Sequence, residues 1–234
     1  MSTVPNHPFD DRPVYPPEVL ARESTGPLRL REGLERLSER GELKAKLLLV
    51  ALTHFASKGY DGVQVKEVAE QAGVSKPTLY YHFGSKEGLF RQLCLVALAS
   101  TEYRIHDLVK PILEGPLATP EDVDRAALAL GESYLYLLLE LPEFTGFILR
   151  SIAVPAPDSG FRDLMPLVER VMSPLGMFIH RAFGLSFDQA RKEVLLLTGM
   201  LGSLLEEKLR KPGYVIDRAE LEWAVGRWLH GIRG

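Results

Sequence analysis

From residue 43 onward, apolar residues recur at three- and four-residue spacing and strict alternation is almost absent, so the pattern predicts helices rather than strands. Leu47, Leu48, Ala51, Leu52 and Phe55 line one side of a helix that stops at Lys58-Gly59. Two short helices follow, over residues 64–72 before Gly73 and 75–83 closing on Gly84. A longer one starts at Ser85 and is expected to end near Val109, because Pro111 lacks the amide a helix interior needs.

The remaining helices are marked by their caps. Thr119-Pro120-Glu121-Asp122 supplies a hydroxyl, a first-turn proline and two acids to a helix reaching Glu140. Pro142 opens another, to about Val154, and Pro155, Pro157 and Gly160 make a stiff loop. The helix up to Phe183 should start or kink at Pro166 and Pro174. Ser186 with Gln189, and Asp217 with Glu220, form capping boxes for the last two helices. Before residue 28 the prolines Pro5, Pro8, Pro13, Pro16, Pro17 and Pro27 predict an extended, mobile arm, whereas Leu30, Leu34 and Leu37 fall on one helical stripe. The expected organisation is all-α: an N-terminal extension (1–42), a three-helix helix-turn-helix domain (43–91) and a helical effector-binding and dimerisation domain (92–234).

Charge sharpens this division. The chain of 234 residues carries a net charge of −3, yet residues 43–91 hold 7 basic and 4 acidic side chains, an excess of +3. A basic segment in an acidic chain suits a module that meets phosphate. The one cysteine, Cys94, excludes an intramolecular disulfide and fits a reducing cytoplasm. No signal peptide is evident, and no stretch approaches the roughly 20 apolar residues of a membrane span. Nucleophile-elbow, phosphate-loop, dinucleotide and zinc patterns are all missing, so an enzyme, a metal site and a bound cofactor are not expected.

The turn between the second and third helices reads AGVS at residues 72–75. Ala72 allows close approach, Gly73 can take positive φ, Val74 can plug the core and Ser75 can cap the next helix. In that helix, KPTLYYHF, Leu79 and Phe83 should turn inward to Phe55, Val68 and Ala72. Outward, Lys76 and Thr78 can bond base edges or phosphates, Pro77 and Tyr80 can meet thymine methyls, and Tyr81 and His82 can reach phosphate. Lys86 adds a cation at the next helix start.

The run from Leu47 to Phe90, especially FASKGYDG and VKEVAEQAGVSKPTLYYHFGSKEGLF, resembles the DNA-binding domain of the TetR family of bacterial regulators. That resemblance implies operator contacts by Lys66, Lys76, Pro77, Thr78, Tyr80 and Tyr81, phosphate contacts by Gln64, His82 and Lys86, and a DNA-binding set completed by Ser75. Three positions depart from the family pattern. Gln64 stands where Thr or Ser is usual, His54 replaces a core Leu and is expected to pack, and Leu49 is apolar where a polar residue is usual.

The resemblance also implies a homodimer built from the last two helices, which should hold two recognition helices about 34 Å apart on a palindromic DNA operator. The apolar run VLLLTGMLGSLL at 194–205 and the stripe of the last helix fit that role. The expected interface is Val194, Leu197, Leu201, Gly202 and Leu205 with Leu221, Ala224, Val225 and Trp228. Candidate walls for a small apolar effector are Leu98, Tyr103, Leu135, Tyr136, Leu139, Phe144, Phe147, Ile148, Phe161, Met165, Met172, Met177 and Phe178. Glu102, His106, Glu140 and Arg150 are its polar candidates; Glu102 and His106 read as a surface pair rather than metal ligands. A DNA-bound architectural protein without an effector is the alternative, told apart by whether a ligand changes DNA binding. For the extension, Arg29, Arg31, Arg36 and Arg40 could reach DNA, or Leu30, Leu34 and Leu37 could pack near Leu49. Packing is favoured, because Glu32, Glu35 and Glu39 nearly cancel the arginines.

Overall fold

The computed structural model describes Tyr15 and residues 30–140, 145, 148, 161–211 and 213–233. Among these residues all regular structure is helical. In chain order the helices are α1 (Leu30–Glu39), α2 (Leu43–Gly62), α3 (Val65–Ala72), α4 (Lys76–Phe83), α5 (Lys86–Glu114), α6 (Pro120–Glu140), α7 (Met165–Phe183), α8 (Phe187–Arg210) and α9 (Arg218–Arg233). A single 3-10 turn, Phe161–Leu164, leads into α7. The chain divides into two compact units, one of Met1–Tyr103 with Phe147–Val168, the other of Arg104–Gly146 with Glu169–Gly234. The continuous helix α5 therefore contributes to both.

In the first unit, α1 lies on α2, with Leu30, Leu34 and Leu37 buried. This is the packing arrangement favoured by the sequence, and Leu49 is half-buried on α2. Of the arm, Tyr15 is described. It is buried, and its hydroxyl donates to Glu42 Oε2 at 3.4 Å. Burial and the Glu42 carboxylate push this phenol's pKa well above its usual range. Mobility up to Pro27 thus fails at Tyr15, where burying a large ring outweighs the cost of ordering it; the rest of the arm lies outside the described residues.

Helix α2 breaks where expected, at Gly59, whose φ of 70° takes it out of the helical region. Beyond the break, Tyr60 returns to the core and completes an aromatic cluster. Phe55 and Tyr60 stack at 6.1 Å, and Phe90 meets both rings edge-on at 5.1 Å. His54 packs as expected, its Nε2 lying 2.7 Å from Gln71 Oε1 and tying α2 to α3.

The second unit is cored by α6, α8 and α9, which pack on one another. A Cβ on Gly131 of α6 would lie 2.9 Å from Val225 Cγ2, so this glycine permits the close α6–α9 approach. Trp228 Nε1 donates to Glu193 Oε2 at 3.0 Å, and Phe183 meets the Trp228 ring edge-on at 5.8 Å. The Tyr134 hydroxyl donates to the Val171 carbonyl at 3.1 Å, joining α6 to α7.

This packing corrects the expected dimer interface. Val194, Leu197, Leu201, Gly202, Leu205, Leu221, Ala224, Val225 and Trp228 are all buried inside the single chain. They form the stripe by which α8 and α9 face α6 and each other, so their apolar surface is already covered within one chain. Phe187, Leu195, Leu196 and Trp223 are the large apolar residues left open on the same helices, at 67%, 63%, 59% and 62% exposure.

The caps hold. Thr119 Oγ1 accepts from the Asp122 amide and Asp122 Oδ2 accepts from the Thr119 amide, each at 3.2 Å. Ser186 and Gln189 form the full reciprocal box. The expected box at Asp217 is only half made: Asp217 Oδ1 accepts from the Glu220 amide at 2.9 Å, but the Glu220 carboxylate takes the Tyr214 hydroxyl instead of the Asp217 amide. Helix α5 overruns its expected end, since Pro111 lies in its last turn and forfeits one hydrogen bond there. Pro166 falls in the first turn of α7, and Pro174 lies within that helix rather than starting a new one. No described helix is long and apolar enough to cross a membrane.

Leu34 is fully buried between α1 and the rest of the first unit. Leu34→Ala is expected to destabilise that unit by about 2–5 kcal/mol, the range for a buried leucine truncated in place. Urea unfolding at unchanged m-value is the measurement; an unchanged midpoint would mean that α1 is not part of the core.

Candidate nucleic-acid interface

The short helix α4 is held by both ends and by two side chains. Gly73 takes φ 75° and ψ 31°, the left-handed conformation anticipated for the turn. Ser75 Oγ then accepts from the Thr78 amide at 3.2 Å, with Pro77 in the first turn. Leu79 and Phe83 are buried, as are Phe55, Val68 and Ala72. Gly84 closes the helix with φ 72°. At the start of α5, Ser85 Oγ accepts from the Gly88 amide at 2.9 Å. A Cβ on Gly88 would stand 2.0 Å from the Phe83 carbonyl oxygen, which is why the link after α4 needs glycine there.

With Leu79 and Phe83 turned in, the rest of α4 faces out. Lys76, Pro77, Tyr80 and Tyr81 are exposed, Thr78 and His82 are half-buried, and Ser75 is exposed beside them. Lys76 Nζ sits 5.4 Å from the centre of the Tyr80 ring, so cation and aromatic face form one surface. Tyr81 and His82 meet edge-on at 5.2 Å. Burial and then the positive charge of Lys44 lower the pKa of His82 below its ordinary value.

The flanking candidates fare differently. Gln64 occupies the N-cap position of α3 but makes no side-chain cap, unlike a Thr or Ser there. Lys66 is exposed and loosely paired with Glu70 at 3.6 Å, an arrangement that contributes little in water. Lys86 lies over the Tyr60 ring at 4.6 Å and donates to the Asp61 carbonyl at 3.3 Å, which fixes its ammonium at the end of α2. All ten DNA-binding candidates thus belong to the first unit and lie at its surface.

The effector candidates are divided between the two units. Leu98 is buried, Glu102, Ile148 and Met165 are half-buried and Tyr103 is exposed, all in the first unit. Leu135 and Phe178 are core residues of the second unit, where Leu139 and Met172 are half-buried and His106, Tyr136 and Met177 exposed. Phe144, Phe147 and Arg150 lie outside the described residues, as do the side chains of Glu140 and Phe161. The pattern missed Arg104, which is buried in α5 with its guanidinium 5.2 Å from the centre of the Tyr136 ring. Its signal was the small-residue face of Ala97 and Ser100, two turns and one turn before it.

Residues 47–93 match the family described as bacterial regulatory proteins of the tetR family. The match places a DNA-binding domain of that family at residues 47–93. It is 40% identical over 50 residues to IcaR of Staphylococcus aureus, a negative transcriptional regulator of a biofilm operon, covering 21% of this chain and 27% of IcaR. It is 33% identical over 91 residues to FasR of Mycolicibacterium smegmatis, a transcriptional activator, covering 39% of this chain and 38% of FasR. The matched stretches therefore span well under half of these relatives. The fold also matches PfmR from Thermus thermophilus, a TetR-family regulator, with a TM-score of 0.56 at 23% identity over 80% of this chain and 97% of PfmR. The TetR-family domain accounts for the helix-turn-helix, its capped turn and the FGSK link.

Within this domain, Lys76 and Lys86 separate two kinds of contact. Lys76→Ala should relax discrimination at one base pair by about 1–3 kcal/mol. Lys86→Ala should weaken all sequences alike and flatten the salt dependence. Competition binding against single-base variants of a selected site checks both; the reverse pattern would exchange the two assignments.

Proposed function

We propose that this chain is a sequence-specific transcriptional regulator that holds a palindromic operator as a homodimer and releases it when an apolar or amphipathic effector binds. The observation that carries this reading is α4: a helix too short to be stable alone, locked by caps and two buried side chains, with Lys76, Pro77, Thr78, Tyr80 and Tyr81 left at the surface. Nothing in the protein's own packing requires that exposed set, and its size and chemistry suit a major groove.

The dimer reading is supported by a face other than the buried stripe. Leu195, Leu196, Gly199 and Ser203 of α8 are exposed, as are Trp223 and Gly226 of α9. A Cβ on Gly199 or Gly226 would meet nothing within 4 Å in its own chain. A mid-helix glycine costs about 1 kcal/mol relative to alanine, which the subunit does not recover. Close approach by the same helices of a second copy would recover it, with the open tryptophan and leucines as its apolar centre.

Occupancy is proposed to repress, as IcaR does for its operon; FasR shows that a relative can activate. The effector is assigned apolar or amphipathic character from the aromatic and methionine side chains after residue 92, with Arg104 as a buried cation suited to an acidic head group. Release requires that the effector favour one conformation over the other, not merely that it bind.

The expected result is a duplex affinity that falls steeply with salt and prefers a palindrome selected from random DNA over its scrambled counterpart. Equal affinity for the two duplexes would overturn the regulator reading. Leu195→Asp should give a folded monomer by sedimentation and abolish the preference for the two-half-site duplex. A dimer that survives this change would place the interface elsewhere.

A further inference from the structure

The cations of the first unit are not equally engaged. Lys58 is paired with Glu67 at 2.5 Å, Lys66 with Glu70 at 3.6 Å, and Arg91 faces Asp163 at 4.0 Å. Among the described residues, no carboxylate pairs with Lys44 or Lys46, both in the first turn of α2. Glu42, one turn before Lys46, is the carboxylate best spaced to neutralise it. Among the described residues that carboxylate forms no ion pair with either lysine, and its Oε2 accepts from the Tyr15 hydroxyl at 3.4 Å.

The two lysines address opposite ends of α4. Lys46 Nζ stands 3.7 Å from the position a Cβ would take on Gly73, at the turn that precedes α4. Lys44, half-buried two residues before Lys46, adds its positive charge to the burial that lowers the pKa of His82 in the last turn of α4. Two uncompensated ammonium groups beside one exposed helix repel each other and the cations already there. In a chain with 31 acidic and 28 basic residues, neutralising them would take only a nearby carboxylate. Their separation from carboxylates, combined with their place beside α4, points to an anion supplied from outside.

We infer that Lys44 and Lys46 clamp the DNA backbone, each taking a phosphate on the flank of the groove that α4 enters, one by the turn and one by His82. This rests on the regulator reading above. The extension has a part in it: α1 lies on α2 and braces the helix that carries both lysines.

The test uses the full chain, the palindromic duplex selected by the wild-type protein and a scrambled duplex, titrated across a series of salt concentrations. For Lys44→Gln/Lys46→Gln, the slope of log affinity against log salt should become shallower by about 0.9 for each phosphate no longer neutralised. Affinity should fall alike on both duplexes, leaving their ratio and the melting temperature unchanged. Lys44→Arg/Lys46→Arg should keep the wild-type slope, because charge is what the phosphate needs. An unchanged slope in the glutamine variant, a weakening confined to the selected duplex, or a shallow slope in the arginine variant would each overturn the clamp while the wild type still binds. A wild-type protein with no salt-sensitive DNA binding would overturn the regulator reading and the clamp together.

Discussion

The seating of α4 through Leu79 and Phe83 is the contact on which the rest of the first unit depends. Eight residues are too few to hold a helix in water, where nucleation costs more than two turns return. Burial of those two side chains, the Ser75 cap and the left-handed glycines at either end supply what propagation cannot. The same arrangement fixes what is displayed, since turning residues 79 and 83 inward leaves 76, 77, 80 and 81 exposed. Stability and recognition are here two consequences of one helical phase.

Electrostatics works at the same local scale. The chain is net acidic, and a long-range argument from its charge of −3 would point away from DNA. Screening at physiological salt confines such effects to roughly 8 Å, so the arrangement of partners matters more than the sum. Pairing removes Lys58 and Arg91 from the count and loosely engages Lys66, while Lys76 rests on an aromatic ring. The basic excess read from residues 43–91 is thereby concentrated around α4.

Much of this was legible because it is local. Caps, turn glycines and the inward pair of α4 depend on residues within a few positions of one another, and Gly59, Gly73, Ser75 and Ser186 all behave as their neighbours imply. Readings that required knowing which helix lies opposite fared worse. The apolar stripe of α8 satisfies the same periodicity whether it packs on its own α6 or on a second subunit, and the structure assigns it to the former. Leu195 and Trp223 stand out less in the sequence because, in each helix, they lie off the main stripe. Lys44 and Lys46 give no signal either, since their relation to Gly73 and His82 arises only when α2 is laid beside α4.

The extension shows how a local feature becomes a distant constraint. Its leucine stripe predicted packing, and α1 does pack on α2. The consequence lies in what α2 carries: its first turn bears Lys44 and Lys46, its middle bears Phe55, and its end returns Tyr60 to the aromatic cluster under Lys86. A helix fixed along its length by α1, α3 and that cluster cannot rotate to swing its first turn away from α4 without breaking buried contacts. Tertiary packing rather than intrinsic propensity therefore holds the start of α2 in place, as expected for a helix lacking a side-chain cap at Glu42. The residues of α1 act on α4 through the helix they brace.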